Sequence, residues 1–240
     1  MIKKGGIKMD YHYAHKYLVG YSDVDKNNKM KISRIVDMFQ NVATWHSKTI
    51  GYGTAEMMNL KQGWLVLEWK IKILRYPVAD EMIELRTWSK SPKGLHAYRD
   101  FEIVDESGSI MVLAESSWIL YDLVNQKPIR LSNEMMEKYG AINRNALEEG
   151  ISKIKESDIN GHIFRISPMR RDIDTNNHVN NAKYVEFFEE ILPADVKINE
   201  IEIQYRKQTK LGETLQLNFD GKICVMKNEN GEVTTIIKIN

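Results

Sequence analysis

Between Leu67 and Trp88 the chain reads LEWKIKILRYPVADEMIELRTW, with apolar and polar residues alternating on both sides of a break at Pro77 and Asp80. Period-two alternation places every second side chain on one face, so this stretch predicts two antiparallel strands with one buried face and a turn between them. Asn199 to Phe219, NEIEIQYRKQTKLGETLQLNF, follows the same plan, with Gly212-Glu213 standing where the first stretch has Asp80-Glu81. Each is followed by more strands. AYRDFEIVDESGSIMVLAESSWILYD turns near Glu106-Ser107-Gly108, and LQLNFDGKICVMKNENGEVTTIIKIN turns at Asp220-Gly221 and Asn230-Gly231. Apolar residues at helical spacing predict two helices. One runs from Ile32 to about Ser47 on Ile35, Val36, Phe39 and Val42, the other from Ala182 to about Glu190 on Tyr184, Val185 and Phe188.

Each helix is preceded by a polar loop, and the two loops are copies. DVDKNNKMKISRIVDMF (Asp23 to Phe39) aligns with DIDTNNHVNNAKYVEFF (Asp172 to Phe188) at an offset of 149 positions. Asp23, Asp25, Asn27, Asn28 and Phe39 meet Asp172, Asp174, Asn176, Asn177 and Phe188. The chain is thus written twice, as strand, polar loop, helix and a run of antiparallel strands. The predicted fold is α+β, two halves each wrapping an antiparallel sheet on one central helix that must bury its apolar face there. The first half is assigned to residues 9–130 and the second to 159–240. Leu131 to Asp158, charged, partly helical and outside both copies, is read as the linker.

Composition narrows the function classes. A net charge of +1 argues against a nucleic-acid surface, which needs a strongly basic face. No apolar run reaches the 18 residues of a membrane span, so no membrane insertion is expected. The amino terminus is basic without an apolar h-region, so it does not predict a signal peptide, and Met9 is a candidate start. The single cysteine, Cys224, allows no internal disulfide and no thiolate metal site, and it fits a reducing cytoplasm. The six histidines form no metal-ligand spacing, and no GxGxxG, GxxxxGK[ST] or GxSxG occurs. No metal and no cofactor are therefore expected.

The tandem plan joined to DTNNHVNNAKY resembles the acyl-acyl-carrier-protein thioesterases, the family that includes the plant enzymes releasing fatty acids from synthesis. Its pattern, close to D-x-N-x-H-V-N-N-x-K-Y, is matched by Asp174, Asn176, His178, Val179, Asn180, Asn181, Lys183 and Tyr184. RYPVADEMIELRTW, RDFEI, SSWILYD and KPIRL are similar to the family's amino-terminal half, so the resemblance runs from about Tyr13 onward. It implies a tandem double hot-dog fold, hydrolysis of an acyl thioester on a carrier protein, and an active site holding Asp174, Asn176 and His178. One departure stands out. Where plant members carry a Glu-Cys pair, YRKQT places Gln208 and Thr209. A neutral amide is no general base and a threonine hydroxyl is a poor replacement for a thiolate, so a cysteine-nucleophile mechanism is not expected.

Thioester hydrolysis needs an activated water or nucleophile and donors for the developing oxyanion. His178 is the only side chain of the motif that titrates near neutrality and is the candidate general base. Asp174 is assigned to orient or support the water or imidazole, Asn176 to position the water or the carbonyl, and Gln208 to hydrogen-bond a water. Backbone N–H groups near Asn180 to Ala182 are candidate oxyanion donors. A polar loop before a helix is also ordinary capping and turn chemistry. Comparing the copies separates the two roles: Asp172 and Asn177 have counterparts in the first copy, whereas His178 is matched by Lys29, Asn180 by Lys31 and Asn181 by Ile32.

The first half is the candidate acyl-chain pocket, with Met38, Phe39, Val42, Trp64 and Leu65. Trp64, Trp69, Trp88 and Trp118 are otherwise read as core, His46 as a helix-end histidine, and His12 and His15 as solvent-exposed. An acidic carrier protein calls for a basic patch, for which Arg170, Arg171, Lys183, Arg206, Lys207 and Lys210 are the candidates around the motif. Rival readings are an acyl-CoA thioesterase on the same fold and a non-catalytic acyl-binding module; a hydratase-like reading has no support in the motif. Tandem halves already supply the pair that single hot-dog proteins form by dimerising, and a further homodimer stays open.

Overall fold

A computed structural model describes residues 11–155, 159, 161–174, 176–193 and 196–240. The first half holds strand β1 (Tyr13–Leu18), helix α1 (Ile32–Thr49), a short helix α2 (Thr54–Asn59) and strands β2 (Gln62–Ile73), β3 (Met82–Ser89), β4 (His96–Asp105), β5 (Ile110–Asp122) and β6 (Lys127–Ile129). Helix α3 (Asn133–Tyr139) follows. The second half holds β7 (His162–Ile166), α4 (Asn181–Glu189), β8 (Glu200–Tyr205), β9 (Leu215–Phe219), β10 (Ile223–Lys227) and β11 (Val233–Ile239). The expected helices and strands all form. The expected turns between them carry left-handed backbone, at Asp80 (φ 66°) in the first half and Gly212 (φ 91°) at the equivalent place in the second.

The two halves were expected as separate sheets, but their strands join in one. The sheet order is β1-β3-β4-β5-β2-β8-β11-β10-β9-β7, with β6 added on β5. Read outward from the β2–β8 seam in both directions, the order is the same, which is the duplication of the sequence expressed as topology. The seam pairs Glu68 with Gln204 through Lys72 with Glu200, antiparallel. Left apart, β2 and β8 would each present an unpaired edge, and pairing them satisfies both rows of backbone groups.

Both helices press their apolar stripes on the sheet. Ile35, Val36, Phe39 and Val42 of α1 are wholly buried, and the Phe39 ring lies 4.8 Å from Phe101. On α4, Val185 and Phe188 are wholly buried, with Phe188 edge-on to Phe219 at 5.4 Å. The helices are tied together by Glu189, whose carboxylate accepts from the first two amides of α1, Ile32 N at 2.6 Å and Ser33 N at 3.3 Å. Lys31, the residue before α1, supplies no side-chain cap, so a side chain from the other half does that work. Removing it in Glu189→Ala should cost about 0.5–2 kcal/mol, the range for a lost helix cap. Thermal unfolding of the variant checks this, an unchanged midpoint counting against the cap.

The segment read as a linker is built into the fold, its helix α3 packed beside α1 through Tyr139, whose hydroxyl donates to Ser47 Oγ at 2.9 Å, and its remainder laid on the sheet's outer face. Ser132 caps α3 by accepting from Met135 N at 3.1 Å. Beyond it, Ala146 N donates to Asp100 Oδ2 at 2.7 Å, and Arg144 O accepts from Trp88 Nε1 at 3.0 Å. Arg144 pairs with Glu102, and Ser152 donates to Glu202 at 2.9 Å. The segment therefore crosses from β3 and β4 to β8 and buries carboxylates that would otherwise face water. Glu156 to Asp158 of the assigned linker lie outside the described residues, as does Met9.

Two other expectations are revised. His12 and His15 are half-buried: His12 Nδ1 accepts from Ser89 N at 3.0 Å, and His15 packs on Trp45 at 4.4 Å. Trp69 and Trp88 are core, but Trp64 and Trp118 are only half-buried and face a cavity described below. Among the described residues, no helix is long and apolar enough to cross a membrane, and no group of His, Cys, Asp or Glu has the arrangement of a metal site.

Candidate active site

The DxDxNN loop is built the same way in both halves. In the second, Asp174 Oδ1 accepts from Asn176 N at 2.8 Å and His178 N at 3.2 Å, while Asp174 N donates to His178 O at 2.8 Å. In the first, Asp25 Oδ1 accepts from Asn27 N at 2.8 Å and Lys29 N at 3.0 Å, while Asp25 N donates to Lys29 O at 2.8 Å. Asn28 and Asn177 both take left-handed backbone, φ 59° and 65°. Asn tolerates that conformation better than most residues, which accounts for the shared Asn. Asp23 and Asp172 close a 3-10 turn in each half by accepting from Gly20 N and Met169 N, both at 2.8 Å.

The same correspondence covers the charges behind the loop. Arg34 pairs with Asp23 and Asp37 at 2.8 and 2.9 Å. At the equivalent position Lys183 pairs with Glu186 at 2.6 Å and approaches Asp172 at 3.9 Å. Lys183 thus belongs to the loop's framework, and its place in the basic patch is correspondingly weaker. Arg170, Arg171, Arg206, Lys207 and Lys210 are exposed, with Lys207 paired to Glu232.

What differs is the side chain at the loop's end. His178 is half-buried, and its Nδ1 is buried with no hydrogen-bond partner among the described residues. Thr209 Oγ1 is in the same condition. The two are brought together by the backbone, since Val179 N donates to Thr209 O at 2.8 Å. Thr209 N in turn donates to the Tyr184 hydroxyl at 3.0 Å, and the Tyr205 hydroxyl donates to Asn181 O at 2.9 Å. Burial pushes both tyrosines above their ordinary range, so they keep their protons and act as fixed struts between α4 and the sheet. From the sequence, Tyr184 was matched in the motif without a role and Tyr205 was not singled out.

Gln208 is exposed and sits one residue before Thr209, as His178 sits one before Val179, so the strand end and the motif loop are neighbours. In the first half Met30 N donates to Pro77 O at 2.8 Å in the same way, which makes Tyr76 the counterpart of Gln208. The Tyr76 hydroxyl is spent on Ile198 O at 2.8 Å. Asn176 is exposed and holds Asp174 Oδ2 only loosely, at 3.5 Å. The expected oxyanion donors are largely taken. Asn180 N donates to Asp172 O at 2.8 Å and Ala182 N to Asn180 Oδ1 at 2.9 Å, leaving Asn181 as the one of the three whose N–H these contacts do not use. Cys224 is buried in β10 with its thiol pushed up to about 12 by burial, no condition for a nucleophile.

A cavity with about 600 Å³ of atom-free space, its open mouth included, lies between the carboxy-terminal turns of α1, helix α3 and the inner face of β2, β4 and β5. Ala43, Trp64, Trp118, Leu131 and Met136 form its apolar wall, and Ser47, Ser89, Arg99 and Tyr139 a polar one. Of the five residues expected to line an acyl pocket, Trp64 is on the wall. Met38, Phe39 and Val42 are in the core behind it, and Leu65 is half-buried elsewhere. The alternation Ala97, Arg99, Phe101 already puts an arginine on the inward face of β4, which was the available signal.

The chain matches the acyl-ACP thioesterase amino-terminal domain over residues 10–139 and the carboxy-terminal domain over 153–240. An oleoyl-acyl carrier protein thioesterase of Coriandrum sativum is 24% identical over 95% of this chain, which spans 66% of that protein. Oleoyl-acyl carrier protein thioesterase 2 of Arabidopsis thaliana is 26% identical over 82% of this chain and 60% of its own length. The fold is shared with an acyl-ACP thioesterase from Bacteroides thetaiotaomicron (TM-score 0.78, 22% identity, 95% of this chain and 96% of that one). It is shared equally with a 12:0-ACP thioesterase from Umbellularia californica (TM-score 0.81, 20% identity, 98% of both chains). With both domain families matched in tandem on a double hot-dog fold, this chain belongs to the acyl-ACP thioesterase family.

Proposed function

We propose that the chain hydrolyses the thioester of a fatty acyl chain carried on acyl carrier protein, releasing the free acid and ending elongation. The observation that carries the reading is His178, an imidazole with a buried nitrogen, unpartnered among the described residues, at the end of a loop that Asp174 holds by accepting from Asn176 N and His178 N. The first half builds the same loop with Lys29 at that place. His178 draws the proton from a water as its oxygen adds to the thioester carbonyl. The tetrahedral oxyanion then collapses, the C–S bond breaks, and the imidazolium returns the proton to the departing thiolate. Gln208 and Asn176 position the water or the carbonyl, and the Asn181 N–H is the candidate oxyanion donor at the start of α4. Asp174 acts through the loop, holding the His178 backbone.

The acyl chain occupies the cavity of the first half, and the carrier protein docks on the exposed cations Arg170, Arg171, Arg206, Lys207 and Lys210. The relatives whose names carry acyl carrier protein support that partner. A single, buried cysteine is in keeping with a reducing cytoplasm. Comparing kcat/KM on acyl-carrier and acyl-CoA thioesters of matched chain length tests the substrate class; a strong CoA preference overturns it. Reversing two charges in Arg170→Glu/Arg171→Glu should raise KM for the acyl-carrier substrate at least several-fold at low salt. The effect should shrink at high salt, with kcat held, because exposed charges steer encounter and are screened.

A further inference from the structure

Arg99 is a buried guanidinium that its neighbours among the described residues leave without a counter-charge. Only 7% of the residue is exposed. Its Nη1 donates to Thr87 Oγ1 at 3.1 Å, and its Nη2 to Ser89 Oγ at 2.9 Å and His46 Nδ1 at 3.1 Å. All three acceptors are neutral. His46 is held uncharged by burial and by Arg99 itself, which push it down to about 3. Among the described residues no carboxylate pairs with Arg99, whereas Lys90, also on the cavity wall, sits 3.4 Å from both Asp100 and Glu115. The guanidinium carbon lies 5.8 Å from the centroid of the Tyr139 ring, across the cavity's polar wall.

A cation taken out of water without an opposite charge is costly, and hydrogen bonds to hydroxyls and an imidazole offset only part of that. A carboxylate matches a guanidinium's fork of donors, and three of the five donors here are already used by protein acceptors. The apolar wall beside it, with Trp64, Trp118 and Met136, suits an aliphatic chain. We propose that this cavity binds an aliphatic chain ending in a carboxylate, with Arg99 as its counter-ion.

The carboxylate has two chemical sources. It is either the head of a free fatty acid, entering by its acid end and competing with substrate, or the far end of a dicarboxylic acyl chain whose other end is the thioester. The second source rests on the thioesterase reading above, whereas the binding itself does not. Binding of decanoate, decanedioate and neutral decanamide, followed by quenching of Trp64 and Trp118, separates charge from chain. Decanoate or decanedioate should bind at least about tenfold tighter than decanamide, since Arg–carboxylate bonds are charge-assisted. That preference should vanish in Arg99→Gln and persist in weakened form in Arg99→Lys. Equal binding of acid and amide by the unaltered protein overturns the proposal, whether or not either variant folds. Competitive inhibition of hydrolysis by decanoate assigns the site to the free acid. A kcat/KM for the carboxyl-ended acyl thioester at least tenfold above its plain counterpart assigns it to the substrate. A protein that binds the acids selectively but hydrolyses no thioester keeps this site and loses the proposed function.

Discussion

His178→Ala is expected to lower kcat/KM for acyl-carrier thioester hydrolysis by at least about 10²-fold, the usual loss when a general base is removed. It is expected to leave stability nearly unchanged, because the imidazole Nδ1 has no partner to lose among the described residues and the loop is held by backbone and Asp174. Asp174→Ala is the contrasting experiment. It removes the acceptor for Asn176 N and His178 N, and its counterpart Asp25→Ala removes the same pair from Asn27 and Lys29. Both should cost about 0.5–2 kcal/mol, as for other lost side-chain caps of backbone N–H groups. Only Asp174→Ala should also lower kcat/KM, since only that loop positions His178. Denaturant unfolding and steady-state kinetics on the three variants separate the roles. Wild-type turnover in His178→Ala removes His178 as the base, and equal activity losses in Asp25→Ala and Asp174→Ala remove the assignment of catalysis to the second half.

The duplication was legible in the sequence because each level of the fold repeats with it. Asp23 and Asp172, Asn28 and Asn177, and even Arg34 and Lys183 fill matched places in matched hydrogen-bond patterns. Comparing the copies put Asp172 and Asn177 in the framework and set His178 apart; Asp174, assigned to support the water or imidazole, repeats the hydrogen bonds of Asp25. Local patterns carry no record of long-range pairing, which explains what was missed. Nothing in Gln62–Ile73 or Glu200–Tyr205 says that these strands meet each other and fuse two sheets. The segment 131–155 looked like a linker because its contacts, Arg144 with Glu102 and Ser152 with Glu202, are made to strands distant in sequence. A cavity does lie in the first half, but of the residues expected to line an acyl pocket only Trp64 is on its wall. Inward-facing apolar residues of a helix look alike whether they meet a core or a cavity, and an inward arginine on a strand is the rarer mark.

His46 should make this fold sensitive to acid. In the unfolded chain its imidazole takes a proton near 6.5, whereas in the fold, at 3% exposure and beside Arg99, it does so only at about 3. Between those values the unfolded state binds the extra proton, so stability present above pH 6.5 is lost as pH falls, at about 1.4 kcal/mol per unit for one site. His12, lowered for the same two reasons, adds to the loss. Asp100 works in the opposite direction. Burial raises its carboxyl from 3.8 to about 6, so the native state binds more protons between those values and gains stability as pH falls through them. The two partly offset each other, and the informative quantity is a difference between proteins. His46→Gln keeps an acceptor for Arg99 Nη2 but cannot titrate. Urea unfolding at pH 7 and pH 4.5 should show the wild type losing about 2–3 kcal/mol more than the variant across that interval. Parallel stability curves for the two proteins would mean that His46 titrates normally in the fold. That outcome would leave Arg99 beside a charged imidazole below about pH 6.5.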